Sequence, residues 1–147
     1  MIKTTRTHYG LLILRTPAAM PALLLIGAAL IILASCAANV ETQAAPLSLR
    51  SDSSIDKNIQ VTKDTKVSSS AGYSRVIRTG SQWKYVGSIT KGDVYKPANN
   101  IFTIEGAHVH EAFLVIQGGI LTGFYLPVEQ AFSEAMQQIP LHYTSVP

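Results

Sequence analysis

Two histidines placed two residues apart are the densest concentration of chemistry in this chain. His108 and His110 stand in the segment Glu105-Gly106-Ala107-His108-Val109-His110-Glu111. On a strand, side chains at i and i+2 leave the same face, so the two imidazoles would project together and offer nitrogen ligands of the kind that Zn, Cu, Ni or Fe accept. Glu105 and Glu111 are the nearby carboxylates, and Glu111, next to His110, points to the other face. The simpler reading is structural: the pair caps the sheet or lies at a contact surface. The other reactive group is the thiol of Cys36, the only cysteine of the chain, which rules out an internal disulfide. No G-x-S-x-G, Walker loop, H-E-x-x-H or Gly-rich dinucleotide fingerprint occurs. The residues therefore predict no enzyme, with metal-dependent activity at His108 and His110 as the alternative.

The surroundings of Cys36 give the thiol a use. Lys3, Arg6 and Arg15 make the first segment basic, and an apolar run follows that includes LLLIGAALIIL from Leu23 to Leu33. This is the layout of a secretory signal, in which basic residues stay on the cytoplasmic side while the apolar stretch enters the membrane. The residues Leu33-Ala34-Ser35-Cys36 that close the run resemble the lipobox of bacterial lipoproteins. That resemblance implies diacylglycerol on the Cys36 thiol, cleavage before it and acylation of the new amino terminus, with no other cofactor. Multiple acyl chains on one residue suffice for durable anchoring, since each buried methylene contributes about 0.8 kcal/mol. Ala37 follows the cysteine in place of an aspartate, which by the same resemblance favours the outer membrane, facing the periplasm, in a Gram-negative cell. The histidine segment resembles the first half of a cupin motif, but Leu114 and Val115 stand where cupins carry a glutamate, and no second histidine motif follows.

The net charge of +3 does not indicate nucleic acid. Its surplus lies in the leader, whose removal leaves nine basic against nine acidic residues. A neutral exported chain is thus expected to use the membrane as a partner through its lipid, and an envelope protein or a second copy through its body.

Behind the cysteine, the expected organisation is a signal peptide over 1–35, a lipidated start and flexible tether over 36–72, a small domain over 73–140 and a tail over 141–147. The tether is rich in Ser, Thr, Ala, Asp and Lys, with isolated Ile55, Ile59, Val61 and Val67. Such composition predicts too little burial to offset ordering, and a mean span of roughly 30–36 Å.

In the domain, strands are predicted at Tyr73–Thr79, Trp83–Ile89, Val94–Lys96 and Ile101–Glu105. A hairpin follows: His108–Gln117, a Gly118-Gly119 turn, and Ile120–Leu126, in a register that sets Phe113 opposite Phe124 and Ala112 opposite Tyr125. After Pro127, apolar residues at Val128, Ala131, Phe132, Ala135, Met136 and Ile139 predict an amphipathic helix. The expected fold class is α+β, an antiparallel sheet covered by that C-terminal helix. Trp83, Tyr85 and Tyr95, interleaved with Arg78 and Lys84, form the candidate interaction surface. The predicted function is a lipid-anchored, non-enzymatic interaction or structural module, an accessory subunit of an envelope or secretion assembly.

Overall fold

The computed structural model describes residues 38–49 and 57–147. The leader and Cys36 lie outside the described residues. Among the described residues, thirteen strands make up the body. In chain order they are β1 (Gln43–Ala44), β2 (Ser48–Leu49), β3 (Asn58–Val61), β4 (Thr65–Ser68), β5 (Ser74–Ile77), β6 (Gln82–Ile89), β7 (Gly92–Pro97), β8 (Thr103–Glu105), β9 (Val109–Glu111), β10 (Phe113–Gln117), β11 (Ile120–Leu126), β12 (Ala131–Pro140) and β13 (Tyr143–Val146).

Nine of them form one sheet in the order β1-β12-β11-β10-β7-β6-β3-β13, with β2 added on β6. Every pairing is antiparallel. Two separate hairpins, β4 with β5 and β8 with β9, complete the body.

This is an all-β architecture, and it corrects the α+β expectation. The segment expected as the C-terminal helix is β12, paired along β11 from Leu126↔Ala131 onward. Pro127 opens a four-residue turn instead, a place its fixed φ suits as well as it suits a helix start. The turn closes on Gln130 in the left-handed region at φ 50°. The 3.6-residue stripe does not describe the burial: Val128 and Met136, both on it, are exposed, whereas Ser133, off it, is buried. Pairing and burial on both faces of a covered sheet override the apparent helical period.

The tether expectation also fails over the described residues. Residues 38–49 and 57–72 contribute β1 to β4, and Ile59, Val61 and Val67 are almost wholly buried. Their period of two, Ile59 with Val61 and Thr65 with Val67, is a strand signal confined to four-residue pieces. Each such burial contributes roughly 1.5–3 kcal/mol, and together with the pairing of β3 to β13 and β6 and of β4 to β5 it offsets the ordering of a segment that is polar elsewhere.

The predicted Gly-Gly turn is present, with Gly118 and Gly119 at φ 59° and 81°, the left-handed values of a type I′ connection. Register follows the expectation only for Gln117↔Ile120 and Ile116↔Leu121. A bulge then shifts it, so that Phe113 faces Tyr125 and Leu114 faces Phe124. Thr122 sits at the bulge, its hydroxyl 3.2 Å from the carbonyl oxygens of both Lys91 and Val115. A slip of one residue exchanges faces: Phe124 and Leu126 join Leu121 and Leu114 on one side, and Tyr125 joins Val115 on the other. The first side is covered by Val67, Ile77 and Ile104 of the two hairpins, the second by Ala45 and Leu47 of the N-terminal segment. His108–Glu111 is not part of the long hairpin, because Val109–Glu111 pair with β8 instead.

Candidate functional site

The two histidines lie on the β8–β9 hairpin, as neighbours on one side. Their ring centroids are 6.5 Å apart and the rings nearly perpendicular. His108 is exposed, whereas His110 is partly covered and its Nδ1 lies 2.6 Å from Oε1 of Glu129. Glu129 belongs to the β11–β12 turn. Its carboxylate fixes the imidazole's orientation and, when ionised, favours the proton on Nδ1. The remaining carboxylates are placed elsewhere: Glu105 lies 3.5 Å from the Arg75 guanidinium, and Glu111 is exposed. Among the described residues, no group of three or more His, Cys, Asp or Glu side chains converges as a metal site would require. The arrangement can hold an oriented imidazole between two strands and a turn. Sequence reasoning did not identify Glu129, since it placed that residue on a helix remote from the histidines.

The aromatic residues of the expected interaction surface turn inward. Trp83 is only 3% exposed, its ring edge-on to Phe102 at 5.5 Å and its Nε1–H donating to the Ser81 hydroxyl at 3.0 Å. Tyr85 and Tyr95 are buried beside one another, with the Lys57 ammonium 4.7 Å from the Tyr85 ring centroid. Burial, reinforced by the charge of Asp93, pushes the Tyr95 hydroxyl well above its ordinary pKa, so the phenol stays neutral. The period-two alternation of β6 explains the correction: Trp83 and Tyr85 share the covered face, and Lys84 between them takes the open one. Lys84 stands directly opposite Lys96, and both are exposed. Arg78 is exposed and paired with Asp64 at 2.9 Å. The Thr79 amide and Arg78 together hold the Asp64 carboxyl below its ordinary value.

A groove that the sequence did not signal runs between β5 and residues 101–103. Val76 and Ile101, both exposed, line it together with Phe102, and it is a broad depression open to solvent. Arg75 spans it, donating from Nε to the Thr103 carbonyl at 3.1 Å and from Nη2 to the Thr103 hydroxyl at 2.5 Å. Among the described residues β5 pairs with β4 alone, which leaves its other edge toward the groove. Unpaired strand backbone beside exposed apolar side chains is suited to receiving an extended segment.

Among the described residues, no helix is long and apolar enough to cross a membrane. No protein-family model, curated protein or solved structure matches this chain.

Proposed function

We propose that this chain is a lipid-anchored, non-enzymatic interaction module of the bacterial cell envelope. The observation that carries the reading is the order of three features: a basic segment, an apolar run, and Leu33-Ala34-Ser35-Cys36 with the only thiol of the chain. The thiol is the nucleophile that a thioether-linked lipid needs, and the small residues before it let the chain enter a peptidase extended. Acyl chains on Cys36 hold the body at the membrane, in the outer membrane facing the periplasm where the cell is Gram-negative. The body then offers contacts rather than catalysis. The open β5 edge with Val76 and Ile101 supports a protein partner at that groove.

Replacement of Cys36 by Ser tests the anchor. Mass spectrometry of the unmodified sequence should find a chain beginning at Cys36 with added acyl mass, and the Cys36→Ser form should accumulate at full length. A mature amino terminus elsewhere would replace the lipoprotein with an ordinary secreted or membrane-spanning protein. Co-purification from detergent-solubilised membranes tests the module: a reproducible envelope partner is expected, and a lone monomer argues against it.

A further inference from the structure

We propose that the lipid on Cys36 seats one particular end of the body against the headgroup layer of the bilayer: the end built from the turns Ser69–Tyr73 and Glu105–Val109. The proposal rests on the anchored reading above. Its starting point is the short reach between the acylated residue and the first backbone atoms fixed on the body. Cys36 is two residues from Ala38, and two peptide units span at most about 7 Å.

Ala38 is held in place. Its carbonyl accepts the Ala107 N–H at 2.9 Å. Next to it, a Cβ on Gly106 would fall 2.9 Å from the Ala38 oxygen and 2.9 Å from Cγ2 of Val40, so the absence of a side chain there permits the close approach. Three residues on, the Glu41 N–H donates to the Ser70 hydroxyl at 2.9 Å, and β1 then pairs with β12. The Ser69 hydroxyl in turn donates to the Glu105 carbonyl at 3.1 Å, joining the two turns. The N-terminal segment is thus fixed at three successive points from Ala38 onward, which keeps this part of the body within a short reach of its lipid.

Two exposed side chains at that end suit the headgroup depth. Val109 is 68% exposed and Tyr73 45% exposed, and neither is covered by the described residues. Tyrosine has an apolar ring and a polar tip, the combination found at headgroup depth. The same two turns carry the small residues Ser70, Ala71 and Ala107. The carboxylates there are Glu105, engaged by Arg75, and the exposed Glu41 and Glu111, so the contact rests on the short reach to the lipid and on the exposed Val109 and Tyr73, not on attraction to anionic headgroups.

The experiment uses the full-length gene, so that the cell acylates Cys36 and leaves a newly introduced thiol free for a fluorophore. Three positions are labelled singly: Val109→Cys, Tyr73→Cys and Gln117→Cys. Gln117 is exposed at the end of β10, whose five residues extend about 17 Å. The purified lipoprotein is reconstituted in phosphatidylethanolamine and phosphatidylglycerol vesicles containing a headgroup-linked nitroxide quencher. Quenching at positions 109 and 73 should exceed that at 117 severalfold. Inserting a Gly-Ser segment of about ten residues between Cys36 and Ala38, with a mean span of about 17 Å, should erase the difference. Equal quenching at 109 and 117 in a chain whose mass carries the acyl groups would overturn the orientation alone. A chain without acyl mass would overturn the anchor and the orientation with it.

Discussion

The ring of Phe132 on β12 lies over the backbone of Gly123 on β11, so close that a Cβ built on Gly123 would stand 2.6 Å from two carbons of that ring and also against the Ser133 carbonyl oxygen. Phe132 is buried with Tyr125 and Val115 on the second face of the sheet, and its ring has no open space into which to withdraw. Gly123→Ala is therefore expected to destabilise the body by about 1–3 kcal/mol, the range for forcing extra volume into a packed core. Urea unfolding should show a lower midpoint with an unchanged slope. An unchanged midpoint would mean that β12 is not packed on β11 as described.

Lys84 and Lys96 give a prediction of opposite sign. They are directly opposed on β6 and β7 and both exposed, and like charges in that position repel. Lys84→Glu converts the pair into an attractive one. Stability should rise by about 0.2–1 kcal/mol at low salt, and the gain should shrink as salt screens it. A loss of stability on making Lys84→Glu would contradict the cross-strand register.

Strands set off by clear turn residues were legible in the sequence: β5, β6, β7 and β8, and the β10–β11 hairpin with its two glycines. The strand nature of β12, the register beyond the Gly-Gly turn and the strands before residue 73 and after residue 140 were not, for physical reasons. The stripe from Val128 to Ile139 has the spacing of a helix, and only the pairing of Ala131–Phe132 with Leu126 and Tyr125 decides for a strand. The bulge beside Thr122 leaves no composition signal, yet it moves Phe124 and Tyr125 to opposite faces from those expected. Ile59, Val61 and Val67 stand in polar sequence, and their burial depends on neighbours far along the chain. At the candidate site the histidines were legible and Glu129 was not, because a contact across 19 positions exists only once β11 and β12 turn back on each other.

Asp64 carries a pH dependence. Its carboxyl is held below the ordinary aspartate value of 3.8 by the Thr79 amide and by Arg78. A depressed folded-state pKa contributes stability that is present above the unfolded value and is lost as pH falls through the folded one. Asp64→Asn should therefore be less stable than the unmodified chain at neutral pH. The gap should begin to narrow below about pH 4, near the unfolded aspartate pKa, and close as pH falls through the lower folded-state value. Chemical unfolding followed at several pH values measures this, and a gap that persisted undiminished at acid pH would assign the effect to something other than the charge. The contribution is small, since the ion pair is open to solvent and screened.

The contact between His110 and Glu129 suits either reading of the histidines, because a metal-ligating imidazole commonly hydrogen-bonds a carboxylate through its other nitrogen, so the two readings are separated by adding metal. With Nδ1 on the carboxylate, Nε2 is the nitrogen His110 would offer an ion. The His108 and His110 ring centroids stand 6.5 Å apart. Glu129→Gln keeps the volume but removes the charge, so the link between β9 and the β11–β12 turn should weaken. Because both side chains keep partial solvent exposure, the expected loss is under about 1 kcal/mol. Hydrogen exchange should be faster at Val109–Glu111 and unchanged at β6. Added zinc should leave the unfolding midpoint of the unmodified chain where it was. A zinc-dependent rise that disappears in His110→Ala would show that the rings do turn to a common ion, and would make the pair a metal site rather than a brace between β9 and the β11–β12 turn.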